Sequence, residues 1–120
     1  MLRGLSPIAT DLYILLGAQL KIVAEFRDGT TFIGVTSSLY NQEECDLLIA
    51  TVQLRLGNGE TKFILEMSGC STISSYGLGQ LLKVNSLIKS KGGSCTLRSV
   101  PKPVRDILTS LFLDQIITLE

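Results

Sequence analysis

The sequence predicts an α/β domain in which strands alternate with helices around a largely parallel sheet. Three observations support this. Segments rich in β-branched and aromatic residues alternate with segments of helical period, turn residues separate them, and residues 62–67 form a nearly continuous apolar run suited to a central strand. The 120 residues fit one domain, and 45% hydrophobic against 18% charged content is enough for a real core.

Residues 1–20 read as an N-terminal extension and residues 21–120 as the domain. Gly4, Ser6 and Pro7 break up the first ten residues. Residues 11–20 are ambiguous between a short helix and a strand, and their Leu and Ile residues are expected to pack on the domain. Residues 21–26 and 31–35 read as strands, with Arg27-Asp28-Gly29 between them as a hairpin signal. Asn41 suits a helix N-cap, with Glu43 and Glu44 favourable in the first turn. Leu47, Leu48, Ile49, Val52 and Leu54 form a broad apolar face, and Gly57-Asn58-Gly59 ends that helix.

Residues 62–67 then suit a strand covered on both faces or lying in a parallel sheet, with Glu66 the polar exception. Leu78, Leu81, Leu82, Asn85, Leu87 and Ile88 give a second helix. Lys89 and Lys91 lie at its cation-favouring end, and Gly92-Gly93 closes it. Residues 94–100 alternate as a further strand, stopped by Pro101 and Pro103. Pro103 is well placed near the start of a third helix carrying Val104, Ile107, Leu108 and Leu111. Residues 115–119 read as a short terminal strand. The crossovers imply parallel pairing, with the initial hairpin as an antiparallel edge. Function in such a sheet gathers at the C-terminal ends of the strands, where the turn Ile73-Ser74-Ser75-Tyr76-Gly77-Leu78-Gly79 falls.

The composition excludes several classes of function. Lys plus Arg equals Asp plus Glu at 11 each, so no long-range field gathers nucleic acid or anionic lipid. There is no histidine, the commonest general base and metal ligand. Cys45, Cys70 and Cys95 match no zinc or CxxC spacing and read as buried reduced thiols of a cytosolic protein. The apolar run 12–20 is shorter than the roughly 20 residues of a membrane span and lacks signal-peptide flanks. Gly77-x-Gly79 fails the dinucleotide fingerprint because Leu82 holds the third glycine position. Glu43 with Glu44, and Glu60 with Glu66, are the candidate acid pairs, though adjacent glutamates usually form a solvated helix start. The expectation is a non-enzymatic domain with no cofactor and no metal.

The turn itself suits docking. Ser74 or Ser75 is a natural N-cap, and Gly77 and Gly79 keep a helix surface thin. A phosphate at a helix N-terminus is tolerated by the free N–H groups and the dipole. It adds about −1.5 to −2 charges, and burying that charge against a partner without a matching Arg costs several kcal/mol. Tyr40 is a further candidate for partner contact, since Tyr is enriched at binding hot spots.

Three segments resemble one family. KFILEMSGCSTISSYGLGQLL (62–82) is similar to an apolar strand followed by Asp-Leu-Ser-Gly and Asp-Ser-x-Gly-Leu-Gly. SKGGSCTLRSV (90–100) is similar to a Gly-Gly turn into a strand, and PKPVRDILTSLFLDQIITLE (101–120) to a final helix and strand. Together they resemble the STAS domain of bacterial anti-sigma factor antagonists, over about residues 21–120. The resemblance implies a STAS-like, mixed and mostly parallel sheet of four to five strands, with helices packed mainly on one face. It implies a cytoplasmic regulator of transcription that binds an anti-sigma factor serine kinase and is released by phosphorylation. The phosphoacceptor corresponds to Ser75, with Ser74 the second choice, and the docking residues to Tyr40, Asn41, Ser74, Ser75, Tyr76, Gly77 and Gly79. Ser74 and Tyr40 stand where the family has Asp, Tyr76 where it has a small residue, and Phe112 where it has Gly. Alternatives are an unphosphorylated STAS scaffold, or a STAS domain holding a nucleotide or lipid at the same helix start.

Overall fold

The computed structural model describes residues 22–40 and 42–120. The expected packing of the N-terminal extension, and the cap and docking roles of Asn41, fall outside them.

The chain opens with a hairpin of β1 (Ile22–Arg27) and β2 (Thr30–Val35), paired antiparallel. Its turn has Asp28 at φ 52° and Gly29 at φ 78°, the double left-handed geometry that matches strand twist. Helix α1 (Gln42–Gly57) leads to β3 (Lys62–Glu66), α2 (Ser75–Ser90) to β4 (Ser94–Arg98), and α3 (Lys102–Ser110) to β5 (Thr118–Leu119). The sheet order is β1-β2-β3-β4-β5, and every pairing after the hairpin is parallel.

Period-two alternation decides which face is packed. Thr31, Ile33 and Val35 of β2, Phe63 and Leu65 of β3, and Cys95 and Leu97 of β4 are buried on one face. They join Leu48 and Val52 of α1, Leu81, Val84 and Ile88 of α2, and Val104 and Leu108 of α3 in one core. On the opposite face Val23, Phe32, Ile64, Glu66 and Thr96 are only half-buried. β3 is therefore central but packed to full burial on one side only, so of the two expectations for it the parallel-sheet strand is met and full cover on both faces is not.

Other expected boundaries shift for local reasons. In α1, Leu48, Ile49 and Val52 face inward while Leu47 and Leu54 remain 44% and 64% exposed, because the helical period turns them away. β4 stops at Arg98, since Ser99 takes φ 57° and leaves the ladder. Pro103 is the second residue of α3, where its missing N–H costs nothing. Residues 115–119 are not one strand. Phe112 takes φ 59° and Leu113–Gln115 form a 3₁₀ turn, so only Thr118–Leu119 pair with β4. That left-handed conformation is strained for a bulky residue and natural for glycine.

Cys45, Cys70 and Cys95 are buried free thiols, as expected from their spacing. Burial pushes the Cys95 thiol up to about 12, against a small opposing pull from Lys89. Among the described residues no helix is long and apolar enough to cross a membrane, and no group of His, Cys, Asp or Glu is placed to hold a metal.

Candidate functional site

β2 and β3 run parallel, so the connections that leave their C-terminal ends lie side by side. Leu39 and Ile73 pair there as an isolated parallel bridge. The Leu39 carbonyl accepts from the Ser74 N–H at 3.1 Å. Two stretches distant in sequence thereby share one rim at the start of α2.

Ser74, not Ser75, is the N-cap. Its backbone is extended (φ −85°, ψ 169°), and its Oγ accepts from the Gly77 N–H at 3.0 Å. The same hydroxyl donates to the Tyr40 carbonyl at 2.8 Å, with the Leu39 carbonyl at 3.3 Å. A carboxylate could accept from Gly77 but could not donate to Tyr40. Serine thus fits a position where the related motif carries Asp.

With Ser74 capping, Ser75 is the first helical residue, and its side chain is exposed. No hydrogen bond among the described residues engages its hydroxyl. Tyr40 and Tyr76, both on this rim, are 55% and 43% exposed. Partial loss of solvent, then the Asp46 carboxylate nearby, hold the Tyr76 phenol above its ordinary range.

The two glycines differ. A Cβ on Gly77 would collide with the Leu39 carbonyl oxygen, while a Cβ on Gly79 would meet nothing within 4 Å. Gly77 is buried, so the space it leaves is filled by the domain's own backbone and not offered to a partner. Gly79 is exposed on the outer surface of α2.

Sequence reasoning missed a hydroxyl network beneath Tyr40. The Thr72 hydroxyl lies 2.8 Å from the Tyr40 hydroxyl and 3.0 Å from Ser38 Oγ. It has one proton, so it donates to one and accepts from the other. Ser38 Oγ also accepts from the Thr72 N–H at 3.3 Å and lies 3.4 Å from Ser71 Oγ. The sequence signal was there in Ser37-Ser38 and Ser71-Thr72, each placed just after a strand. It becomes readable only when β2 and β3 are known to be neighbours.

The candidate acid pairs dissolve. Glu44 is buried and accepts from the Tyr40 N–H at 3.2 Å, while Glu43 is exposed. Glu60 accepts from Thr31 at 2.7 Å and pairs with Arg55 at 3.4 Å. Those contacts lie on the helix-covered side of the sheet, whereas Glu66 points from the opposite face.

Fold and site together define an α/β domain that presents a capped helix start, a free serine hydroxyl and two exposed tyrosines at the C-terminal edge of its sheet. The chain belongs to the STAS domain family, whose model matches residues 21–120. Among solved structures it is similar to TM1081 of Thermotoga maritima, provisionally assigned as an anti-sigma factor antagonist. The two are 25% identical with a TM-score of 0.74, over 82% of this chain and 84% of that one. It shares its fold with the Bacillus cell fate determinant SpoIIAA in the phosphorylated form, at 17% identity and TM-score 0.65, over 82% and 90% of the two chains. It also matches part of the murine anion transporter Slc26a9, at 17% identity and TM-score 0.65, over 91% of this chain and 21% of the transporter. No curated protein sequence matches the chain at a significant level.

Proposed function

We propose that this domain is an anti-sigma factor antagonist, a cytoplasmic and non-enzymatic protein-binding switch that captures an anti-sigma serine kinase and is turned off by phosphorylation of Ser75. The observation behind this is the division of labour between the two serines. Ser74 is consumed as the cap, whereas Ser75 stands exposed at the first helical position beside Tyr76. A phosphoryl group there meets a favourable dipole and leaves the helix intact. It also places about −1.5 to −2 charges on a rim made mainly of hydroxyls and aromatic rings, with the Asp46 carboxylate already near Tyr76. A partner that buries this rim against neutral groups loses several kcal/mol of affinity.

Two experiments test the reading. Incubation with the bound kinase and ATP should add one phosphoryl group, mapped to Ser75 by fragment mass. Ser75→Asp should weaken the complex at least tenfold in calorimetric titration while leaving the helical circular dichroism unchanged. Unchanged affinity of that variant would overturn the mechanism.

A second reading, an unphosphorylated STAS scaffold, draws on the Ser74–Tyr40 hydrogen bond. That bond commits the Ser74 hydroxyl to a structural cap, and neither Ser74 nor Tyr40 carries the carboxylate of the related motif. A stable complex with no phosphoryl transfer to Ser75 would favour it.

A further inference from the structure

The pole of the domain opposite the Ser75 rim carries an apolar tip. The rim lies at the C-terminal ends of β2 and β3. Residues 111–117 lead into β5, which runs parallel to β4, so they lie at the N-terminal ends of the strands. Leu111, Phe112 and Ile116 are 54%, 68% and 53% exposed there, and Phe112 is the most exposed large hydrophobic residue described. This segment is not frayed. The Phe112 N–H donates to Thr109 at 3.0 Å, and the Ile116 and Ile117 N–H groups donate to Leu113 at 2.9 and 2.8 Å. The Ile116 carbonyl accepts from Asn85 Nδ2 and from Lys89 Nζ, each at 3.4 Å. Leu108 and Ile117 anchor the segment in the core on either side. An ordered backbone thus holds Phe112 at φ 59°, strained for a bulky residue, with its ring in water. Neither the strain nor the exposure serves the packing of the domain, and glycine would avoid both.

We propose that this tip inserts into the surface of a membrane that contains anionic phospholipid. Side chains exposed by more than half project from the surface and do not line a groove. Three of them make a patch of about 300 Å², well below the ~800 Å² that each side of a stable protein interface buries. The same three suit an interfacial anchor, which buries aromatic and aliphatic side chains among the headgroups and keeps lysines at their level. Lys89 and Lys91 supply that charge. Both are exposed at the C-terminal end of α2, Lys89 reaches the Ile116 carbonyl, and neither pairs with a carboxylate among the described residues. Asp114 is the one acidic residue of the segment, so cations outnumber it at the tip. Because the whole chain is neutral, the attraction acts only within a Debye length of about 8 Å, once the tip has met the surface. The domain would then stand on the membrane by one pole with the Ser75 rim facing away from it, whether or not Ser75 is phosphorylated.

The test is flotation of the full chain with vesicles of phosphatidylcholine alone and with vesicles of equal parts phosphatidylcholine and phosphatidylserine. The mixed vesicles should bind it at least about tenfold more tightly. Phe112→Gly should cut that binding at least about tenfold while leaving the circular dichroism unchanged, because glycine fits the left-handed conformation. The chain has no tryptophan, so Phe112→Trp supplies a lone fluorophore. Its emission should shift to the blue on the mixed vesicles and be quenched by brominated acyl chains. No binding by the wild type, equal binding to phosphatidylcholine alone, or binding that survives Phe112→Gly would each overturn the proposal. So would a concentration-dependent dimer that Phe112→Gly dissolves, seen in place of vesicle binding. The Phe112→Trp emission decides the matter should Phe112→Gly fail to fold.

Discussion

Gly77→Ala and Gly79→Ala should change stability in opposite directions, although the two glycines are equivalent in sequence terms. At an unobstructed helix position, alanine is favoured over glycine by about 0.8–1 kcal/mol. Gly79 is such a position, with nothing within 4 Å of a built Cβ, so Gly79→Ala should stabilise the domain by nearly that amount. At Gly77 the new methyl would land on the Leu39 carbonyl oxygen, with Ile73 Cγ1 at 3.0 Å and the Leu39 carbonyl carbon at 3.1 Å. An ordinary C···O contact needs ~3.3 Å, so α2 and the Leu39 strand end must separate by about 1 Å. Such overpacking costs about 1–3 kcal/mol. The hydrogen bond from Ser74 N–H to Leu39 stretches with it, at a further cost of ~1 kcal/mol. After the propensity gain, Gly77→Ala should be destabilised by about 1–3 kcal/mol, placing the two variants about 2–4 kcal/mol apart. Urea unfolding followed by circular dichroism resolves this as midpoints at least ~1 M apart with equal slopes. If both substitutions stabilise equally, the first turn of α2 does not rest on the Leu39 carbonyl, and the account of the rim is wrong.

Ser74→Ala should cost about 1 kcal/mol as a lost cap. Ser74→Asp should cost more at pH 7, because its carboxylate faces the Tyr40 and Leu39 carbonyls without a proton to donate. Urea unfolding of the two variants side by side checks this, and a Ser74→Asp variant at least as stable as Ser74→Ala would refute it. The Cys95 thiol stays protonated in the fold to about 12, against an ordinary value of 9.0, while the unfolded chain ionises earlier. The unfolded state thus binds fewer protons above pH 9, and stability should fall there by up to about 1.4 kcal/mol per pH unit from this thiol. Cys95→Ala should remove that part of the slope in chemical denaturation, and an identical slope would count against the burial. Tyr40→Ala and Tyr76→Ala should each weaken the partner complex by at least about tenfold while shifting stability by less than ~1 kcal/mol, as measured by titration and thermal melts.

The fold was legible wherever one local pattern settles the matter. Ile33 and Val35, Phe63 and Leu65, and Cys95 and Leu97 alternate as strand residues should, and Asp28-Gly29 specifies its own turn. Legibility failed where a distant partner chooses. Ser74 and Ser75 are equally good caps by composition, and the carbonyls of Leu39 and Tyr40, 35 and 34 residues away, select Ser74. The same Leu39 carbonyl separates Gly77 from Gly79. The run Leu111-Phe112-Leu113 is apolar throughout and carries no local turn signal, so the one pointer to the left-handed reversal at Phe112 is the glycine that the related family has there.

The sheet order has a consequence for how the domain is made. Strands lie side by side in the order in which they are synthesised. Each new strand can add to the open edge left by the one before it, and none must be threaded between two that are already paired. Assembly can therefore follow the growing chain, with each helix covering the sheet before the next strand arrives. The last addition also protects the product. β5 is only two residues long, so the finished edge presents a very short template for pairing with another chain.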